Sequence, residues 1–384
     1  MPTFLPELIS AVLLRLPVKS LLRFRCLSTS FCAEIDSTDF VKNHLNRSIQ
    51  GKTRPKLIIT DEDIESGSTF YAADFDDGLK EVILLNKPSK STQLDDTLVC
   101  NNSCNGLILL VIFFNDLGSE SIKLALWNPF TRRCKSIPPS PVKIGSKKSL
   151  EFGLGHDSAL DDYKIVMIIE GEYYLKFQVW IFSLKSNSWR RIKDLHLGED
   201  DFRSCVCGFA NGVLYWECKG KTLGFDVVNE LFFNLPLLPN GGGTMTSLGP
   251  YNDSIAVLED NLYISKIAPT YKTVDFYLRV NGKGGVKAES VAEGSWMKAF
   301  TIEEEGLSIK FQDVDFMPWP SAYSKDGDSI LLYTRNEMFW YNLGQKTAQK
   351  VEIAGVPQAE SFGFDVCWES LVSLDDDNAF DGAA

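Results

Sequence analysis

The chain has 384 residues, 44 % of them hydrophobic and 23 % charged, the balance of a folded protein large enough to bury a core without disulfide staples. Its formal net charge of −12 repels phosphate backbones, so nucleic acid is not expected as a partner. No run reaches the ~20 apolar residues of a membrane span, so no membrane insertion is expected.

At the N-terminus, Leu8 to Leu14 could pass for the apolar part of a signal peptide. Glu7 stands where a positive charge belongs, and Arg15 and Lys19 follow without a small-residue cleavage site, so secretion is not expected. Leu5, Leu8, Ile9, Val12, Leu13 and Leu16 instead recur with a helical period along one apolar face. Pro6 suits the first turn of such a helix, and Pro17 ends it. A second helix is predicted from about Ser20, with Leu21, Leu22, Phe24 and Leu27 apolar. Ser28 is placed to cap a third, carrying Phe31, Cys32 and Ile35, and a fourth is predicted from Phe40 to Leu45. Helices this short make a poor independent core, which points to a docking module whose spare apolar faces a partner covers.

The segments Leu5-Pro6-Glu7-Leu8, Leu13 to Ser28, Asp39-Phe40 and His44-Leu45 resemble, in order and without gaps, a plant F-box. Phe31 stands where that family usually has Trp, and Glu34 where it has an apolar or small residue. The resemblance implies contact with a Skp-type adaptor, and through it a cullin scaffold, by Leu5, Pro6, Leu8, Leu13, Leu16, Pro17, Leu21 and Leu22. Some of these, Leu13 and Leu22 above all, could instead only pack the helices together. Residues 1–50 carry a net charge of +2 against −14 for the rest, consistent with a two-part chain. The expected division is an F-box over 1–47, a polar linker over 48–55, a β domain over 56–374 and an acidic disordered tail over 375–384.

From Lys56 onward the period changes to two. Runs such as Gly106 to Ile112 and Tyr163 to Ile169 are β-branched or aromatic and bounded by Gly, Asn, Asp and Pro. Four segments share one template: an aromatic, then Asn, Ser or Asp, then a turn, and an aliphatic ten residues after the aromatic. They run from Trp127 to Ile137, Phe182 to Ile192, Phe225 to Leu235 and Tyr341 to Val351. Each reads as a hairpin closing a unit of about four strands. Weaker copies lie around Tyr277 to Ile302 and Lys56 to Leu85, which makes six units and predicts a six-bladed β-propeller. The last strand, Ser361 to Leu374, is expected to complete the first blade and close the ring. A β-sandwich or a pair of barrels accommodates the alternating strands as well, and the equal spacing favours the propeller. The glycine doublets of kelch blades and the Trp-Asp of WD40 blades are missing.

This region resembles the F-box-associated interaction domain of plant F-box proteins of the F-box/kelch-like kind. The matching pieces are Ser103 to Leu107, Trp127 to Arg132, Phe152 to Asp157, Asp161 to Val166, Trp189-Arg190, Ser295-Trp296 and Glu369 to Val372, with His156 where the family often has Tyr. Within the family the chain is most similar to members that restrain immune receptors and to self-incompatibility pollen factors.

The chemistry of an enzyme is not expected. His44, His156 and His196 are isolated, and HExxH, GxSxG and a phosphate-binding glycine loop are missing. Gly153-Leu154-Gly155 reads as a strand end, Gly241 to Gly243 and Gly282 to Gly285 as loops. Asp161-Asp162, Glu303 to Glu305 and Asp375 to Asp377 read as solvated turns or tail. No cofactor or metal is expected, and the nine cysteines read as thiols of a reducing compartment. The resemblance therefore implies a non-catalytic receptor subunit of a Skp–cullin–F-box ubiquitin ligase in the cytoplasm or nucleus. Its F-box would dock the adaptor and its propeller a protein target. The alternative is an enzyme or carbohydrate-binding propeller with an incidental helical bundle. Target contacts are expected in loops that break the template: Asn115 to Ser121, Ser140 to Ser149, Pro239 to Thr246, and Phe316 to Ser321, where Trp319 between two prolines offers a rigid anchor.

Overall fold

The computed structural model describes residues 6–51, 53, 55–61, 68–75, 79–85, 97–116, 119–142, 150–171, 176–196, 207–218, 221–235, 238, 255–268, 272–280, 295–307, 311, 319–334, 337–355 and 362–374. Four helices come first: α1 Pro6–Leu13, α2 Val18–Arg25, α3 Thr29–Ile35 and α4 Thr38–Gln50. Pro17, itself extended, is the N-cap of α2 and separates it from α1. Ser28 caps α3 by accepting from the Phe31 N–H, and Ser37 caps α4 by accepting from the Phe40 N–H. Helix α4 runs five residues past Leu45 to Gln50, and a strand starts at Pro55. The connection is therefore shorter than the polar composition of 48–55 suggested. Polar side chains on an exposed helix face look like a linker in sequence.

Among the described residues six antiparallel sheets follow, five with four strands and one with a short fifth strand added. Sheet 1 is ordered Phe362–Trp368, Pro55–Asp61, Thr69–Asp74, Val82–Leu84. Sheet 2 comprises Thr97–Cys104, Leu107–Asp116, Ser119–Asn128 and Arg133–Ser136. Sheet 3 comprises Leu150–Asp157, Asp162–Glu170, Lys176–Ser183 and Ser188–Arg191, with the short strand Leu195–His196 added on the third. Sheet 4 comprises Cys207–Ala210, Val213–Cys218, Lys221–Asp226 and Leu231–Leu235. Sheet 5 comprises Ile255–Leu258, Asn261–Ile267, Thr273–Val280 and Ser295–Glu303. Sheet 6 comprises Trp319–Tyr323, Ser329–Tyr333, Met338–Asn342 and Thr347–Val351. These are the blades of a six-bladed β-propeller, and the sandwich alternative falls because the strands divide into six small sheets rather than two large ones. Two compact units divide the chain: Met1–Asn115, Ile122–Ile137 and Ile353–Ala384 form one, and Asp116–Ser121 with Pro138–Glu352 the other.

The repeated template has a physical cause. Its aromatics, Trp127, Phe182, Phe225 and Tyr341, end the third strand of their sheets and are fully buried. Trp127 joins a core drawn from sheets 1 and 2, Phe225 one drawn from sheets 3 and 4, and Tyr341 one drawn from sheets 5 and 6. The next residue caps the turn with its side chain: Asn128 Oδ1, Ser183 Oγ, Asp226 Oδ1 and Asn342 Oδ1 each accept from a backbone N–H two or three residues on. The fifth residue after each aromatic, Arg132, Asn187, Glu230 or Lys346, has positive φ, which turns the chain back into the fourth strand. The fixed ten-residue spacing is this hairpin.

Gly106 forms the tight turn of sheet 2 with Asn105, both at positive φ (82° and 54°). A Cβ on Gly106 would sit 2.6 Å from the Trp368 carbonyl oxygen and strike the Ser370 side chain. Gly106→Ala should therefore cost about 2 kcal/mol or more, from backbone strain and collision together. Chemical unfolding of the variant beside the parent checks this.

Candidate docking site

The helices bury one set of apolar side chains and leave another in solvent. Leu13, Val18, Leu21, Ile35 and Phe40 form their core, with Ile9, Leu14, Leu16, Leu22 and Phe31 packed partly against it. Leu8 (55 % exposed) and Val12 (58 %), one turn apart on α1, are exposed, as are Phe24 near the end of α2 and Leu27 in the turn after it. Among the residues expected to touch an adaptor, Leu5 lies outside the described residues and Pro6 opens α1. Leu8 and Pro17 are exposed and Leu16 and Leu22 half-buried, whereas Leu13 and Leu21 lie inside the bundle. The last two are structural in the free chain: their side chains hold the helices together. Val12, Phe24 and Leu27, which the sequence did not single out, are exposed as well.

The fold of this module depends on more than its own helices. His44 is buried against Phe40, and its Nε2 lies 2.9 Å from the Leu16 carbonyl, tying α4 to the end of α1. Arg25 and Asp36 form a two-pronged ion pair between α2 and the end of α3, and hydrogen bonding to Arg25 holds the Asp36 carboxyl below its ordinary range. Leu371, from the far end of the chain, sits in the helical core, and Phe130 of the sheet 2 turn packs beside it. The Val18 N–H at the start of α2 donates to Glu369 Oε2 at 3.1 Å. Glu369 Oε1 meets Lys56 Nζ of sheet 1 at 3.4 Å. Asn128 Nδ2 donates to the carbonyls of Ser370 and Val372, both at 3.0 Å. This cluster spans residues over 350 positions apart, and only Leu371 and Leu374, apolar beyond the last strand, signal it in the sequence.

The other singled-out residues take structural places. Trp319 does not lie in a loop: it begins the first strand of sheet 6, opposite Tyr333, and is half-buried. Of the four template-breaking loops, Asn115 to Ser121 is mostly the paired ends of two sheet 2 strands. Residues 143–149, 239–246 and 316–318 lie outside the described residues, as do Gly241 to Gly243, Gly282 to Gly285 and Asp375 to Asp377. Gly153 to Gly155 lies within a strand rather than at its end, and a Cβ on Gly155 would fall 2.8 Å from Val227 Cγ2. His156 approaches Asp161 at 3.2 Å, and His196 is exposed on its short strand. Asp162, read as solvated, is buried and accepts from Ser183 Oγ and the Lys185 N–H. Lys164 is buried between Asp157 and Glu230. Burial opposes its charge, but the hydrogen bonds to both carboxylates outweigh it and raise its pKa. Cys26, Cys32, Cys104, Cys134 and Cys367 form no disulfide.

Asp365, on the Phe362–Trp368 strand, accepts from Ser103 Oγ through Oδ1, while Oδ2 is shut off from solvent without a partner. Burial pushes its pKa up to about 7 against that hydrogen bond. Below about pH 4 the group is protonated folded and unfolded. Above pH 7 it is charged in both, and the folded state bears the desolvation cost. Stability should therefore fall as pH rises through this window. Asp365→Asn should leave stability unchanged at pH 4 and raise it by ~2 kcal/mol at pH 8, about half the full linkage value because part of the residue stays hydrated. Denaturant melts at the two pH values check the sign.

No helix among the described residues is long and apolar enough to cross a membrane. Residues 58–372 match the family described as F-box associated beta propeller domain. The chain is 28 % identical to F-box protein CPR1 of Arabidopsis thaliana, over 94 % of this chain and 87 % of that protein. It is 27 % identical to Protein SUPPRESSOR OF NIM1 1 of the same plant, over 85 % of this chain and 86 % of that one. Among solved structures, TolB from Acinetobacter baumannii covers 85 % of this chain and 73 % of its own at a TM-score of 0.46 and 10 % identity, a likeness too weak to bear on the fold or the function. With the family matched over most of its length and the helical module in front of the blades, the chain belongs to the plant F-box proteins that carry an F-box-associated β-propeller domain.

Proposed function

We propose that this chain is the substrate-recognition subunit of a Skp–cullin–F-box ubiquitin ligase. The observation that carries this reading is the pair of apolar surfaces left in solvent, Leu8 with Val12 and Phe24 with Leu27, on helices that otherwise bury their apolar side chains. A partner that covers them gains apolar burial without any rearrangement of the helical core. Leu8, Val12, Pro17, Phe24 and Leu27 then make the adaptor contact, joined by Leu5 and Pro6. Leu13 and Leu21 support that surface from beneath, and the adaptor links the chain to the cullin. The F-box comprises α1 to α4, and the propeller grips a protein target that is passed to ubiquitination and degradation in the cytoplasm or nucleus. The pairing of Phe362–Trp368 with Pro55–Asp61 supports closure of the propeller by the C-terminal strand. Residues 375–384 are read as an acidic tail.

The test is co-purification with a Skp-type adaptor, comparing the parent with Leu8→Asp/Val12→Asp. Deleting the F-box is a poorer control, since it would uncover Leu371 and Glu369. Undiminished adaptor recovery with the double variant would overturn the reading. For the target, half-buried Trp319 remains our candidate contact, supported by the ring area it leaves in solvent. Trp319→Ala should stop target turnover while leaving melting temperature and adaptor binding intact. An unfolded variant, or one that turns its target over normally, removes Trp319 from the site.

A further inference from the structure

We propose that Glu369 to Leu374 is a clamp that fixes the orientation of the F-box helices against sheets 1 and 2, making Glu369 and Leu371 positioning residues for ubiquitin transfer. The transfer role rests on the ligase reading; the clamp itself does not. A four-residue connection between α4 and the first strand would by itself leave the helical module free to swing. The segment beyond the last strand removes that freedom by joining three elements. Glu369, buried, bridges the first N–H of α2 and Lys56 of sheet 1 with its two carboxylate oxygens. The Val18 N–H is one of the donors that a helix start leaves unpaired, so the carboxylate also meets the positive end of the α2 dipole. Leu371 inserts among Leu13, Val18, Leu21, Ile35 and Phe40 of the helices. Asn128 of sheet 2 holds the intervening backbone by its amide, while its Oδ1 accepts from Phe130 and Thr131 N–H and so fixes Phe130 against the same core. Gly106 gives the strand turn room to pass Ser370. The segment is thus bonded on one side to sheets 1 and 2 and on the other to helices, and its anchoring groups Glu369, Ser370, Leu371 and Leu374 are buried.

A rigid mount has a consequence for the reaction. The adaptor would then meet the exposed Leu8 and Val12 at a fixed angle to sheets 1 and 2, and a target held there would meet the ubiquitin donor from a fixed direction. A loose mount would leave binding at both ends intact and lower the fraction of encounters in reacting geometry.

The experiment uses the full chain carrying spin labels on unnatural side chains at the exposed positions Asn46 and Ser136, which leaves the cysteines untouched. Dipolar spectroscopy then reads the distance between α4 and sheet 2. The parent should give one narrow distance. Glu369→Ala and Leu371→Ala should each broaden the distribution at least twofold, with Skp-type adaptor affinity changed less than about threefold. Glu369→Gln keeps an acceptor for the Val18 N–H and should recover most of the narrow distribution. Should Leu371→Ala unfold, the Glu369 pair alone decides. A broad distribution in the parent, or a narrow one in Glu369→Ala, overturns the clamp. A narrow parent distance with no adaptor binding leaves the clamp standing and overturns the ligase reading instead.

Discussion

Ending the chain after residue 361 should yield little soluble monomer, and whatever remains should melt at least ~10 °C below the full chain. The strand Phe362–Trp368 lies at the end of sheet 1 and pairs along its whole length with Pro55–Asp61, from Pro55 opposite Trp368 to Asp61 opposite Phe362. Removing it strips one side of a strand whose Leu57, Ile58 and Ile59 are fully buried, leaving unpaired N–H and C=O groups on an apolar edge, the arrangement that recruits other chains. Cys367 leaves the core shared by sheets 1 and 2, and Leu371 leaves the helical core. A buried leucine alone is worth about 2–5 kcal/mol, so the loss extends to both parts of the chain. Ending at residue 374 retains every one of these contacts and should melt within ~2 °C of the parent. Size-exclusion chromatography and thermal melts of the two truncations decide. A monomeric chain of 361 residues with an unchanged melting temperature would contradict the pairing.

The extent to which this was readable from sequence follows the range of the interactions. Ser28 as the α3 cap, Pro17 as the break between α1 and α2, and the four hairpins are set by contacts within ten residues, and the sequence exposes them. The six-blade count follows because each hairpin repeats one solution to one problem: an aromatic must fill the space against the next sheet, and the residue after it must cap a turn. Trp319 was misplaced in a loop because flanking prolines usually mark loops, whereas Pro320 tolerates a strand at a sheet end, where a bulge between Pro320 and Ala322 absorbs it. The role of Glu369 was invisible, since its partners Val18 and Lys56 lie over 300 residues away, and Leu371 showed only as an apolar residue beyond the last strand, with nothing to name its partner Leu13.

The apolar stripe of α1 was legible as a stripe but not as two arcs. Leu5, Leu8, Ile9, Val12, Leu13 and Leu16 satisfy the helical period together, and periodicity cannot say which arc the helices cover themselves. In the structure Ile9, Leu13 and Leu16 turn to the bundle, and Leu8 and Val12 turn away. That division gives the second large effect. Leu8→Asp with Val12→Asp should lower affinity for a Skp-type adaptor on the order of a hundredfold or more, since two interface anchors at about 2 kcal/mol each are lost and charge is carried into the interface. The melting temperature should move by less than ~2 °C, because both residues are more than half exposed and neither belongs to the helical core. Leu13→Ala and Leu21→Ala should do the reverse at first sight: each opens a cavity of the kind that costs about 2–5 kcal/mol in the helical core, and adaptor binding falls only as the helices unfold. Titrating adaptor against all three variants at a temperature well below their melts separates the classes. If Leu8→Asp/Val12→Asp binds like the parent while Leu13→Ala, still folded, does not, the docking face is the one now assigned to the core, and α1 must open to meet its partner.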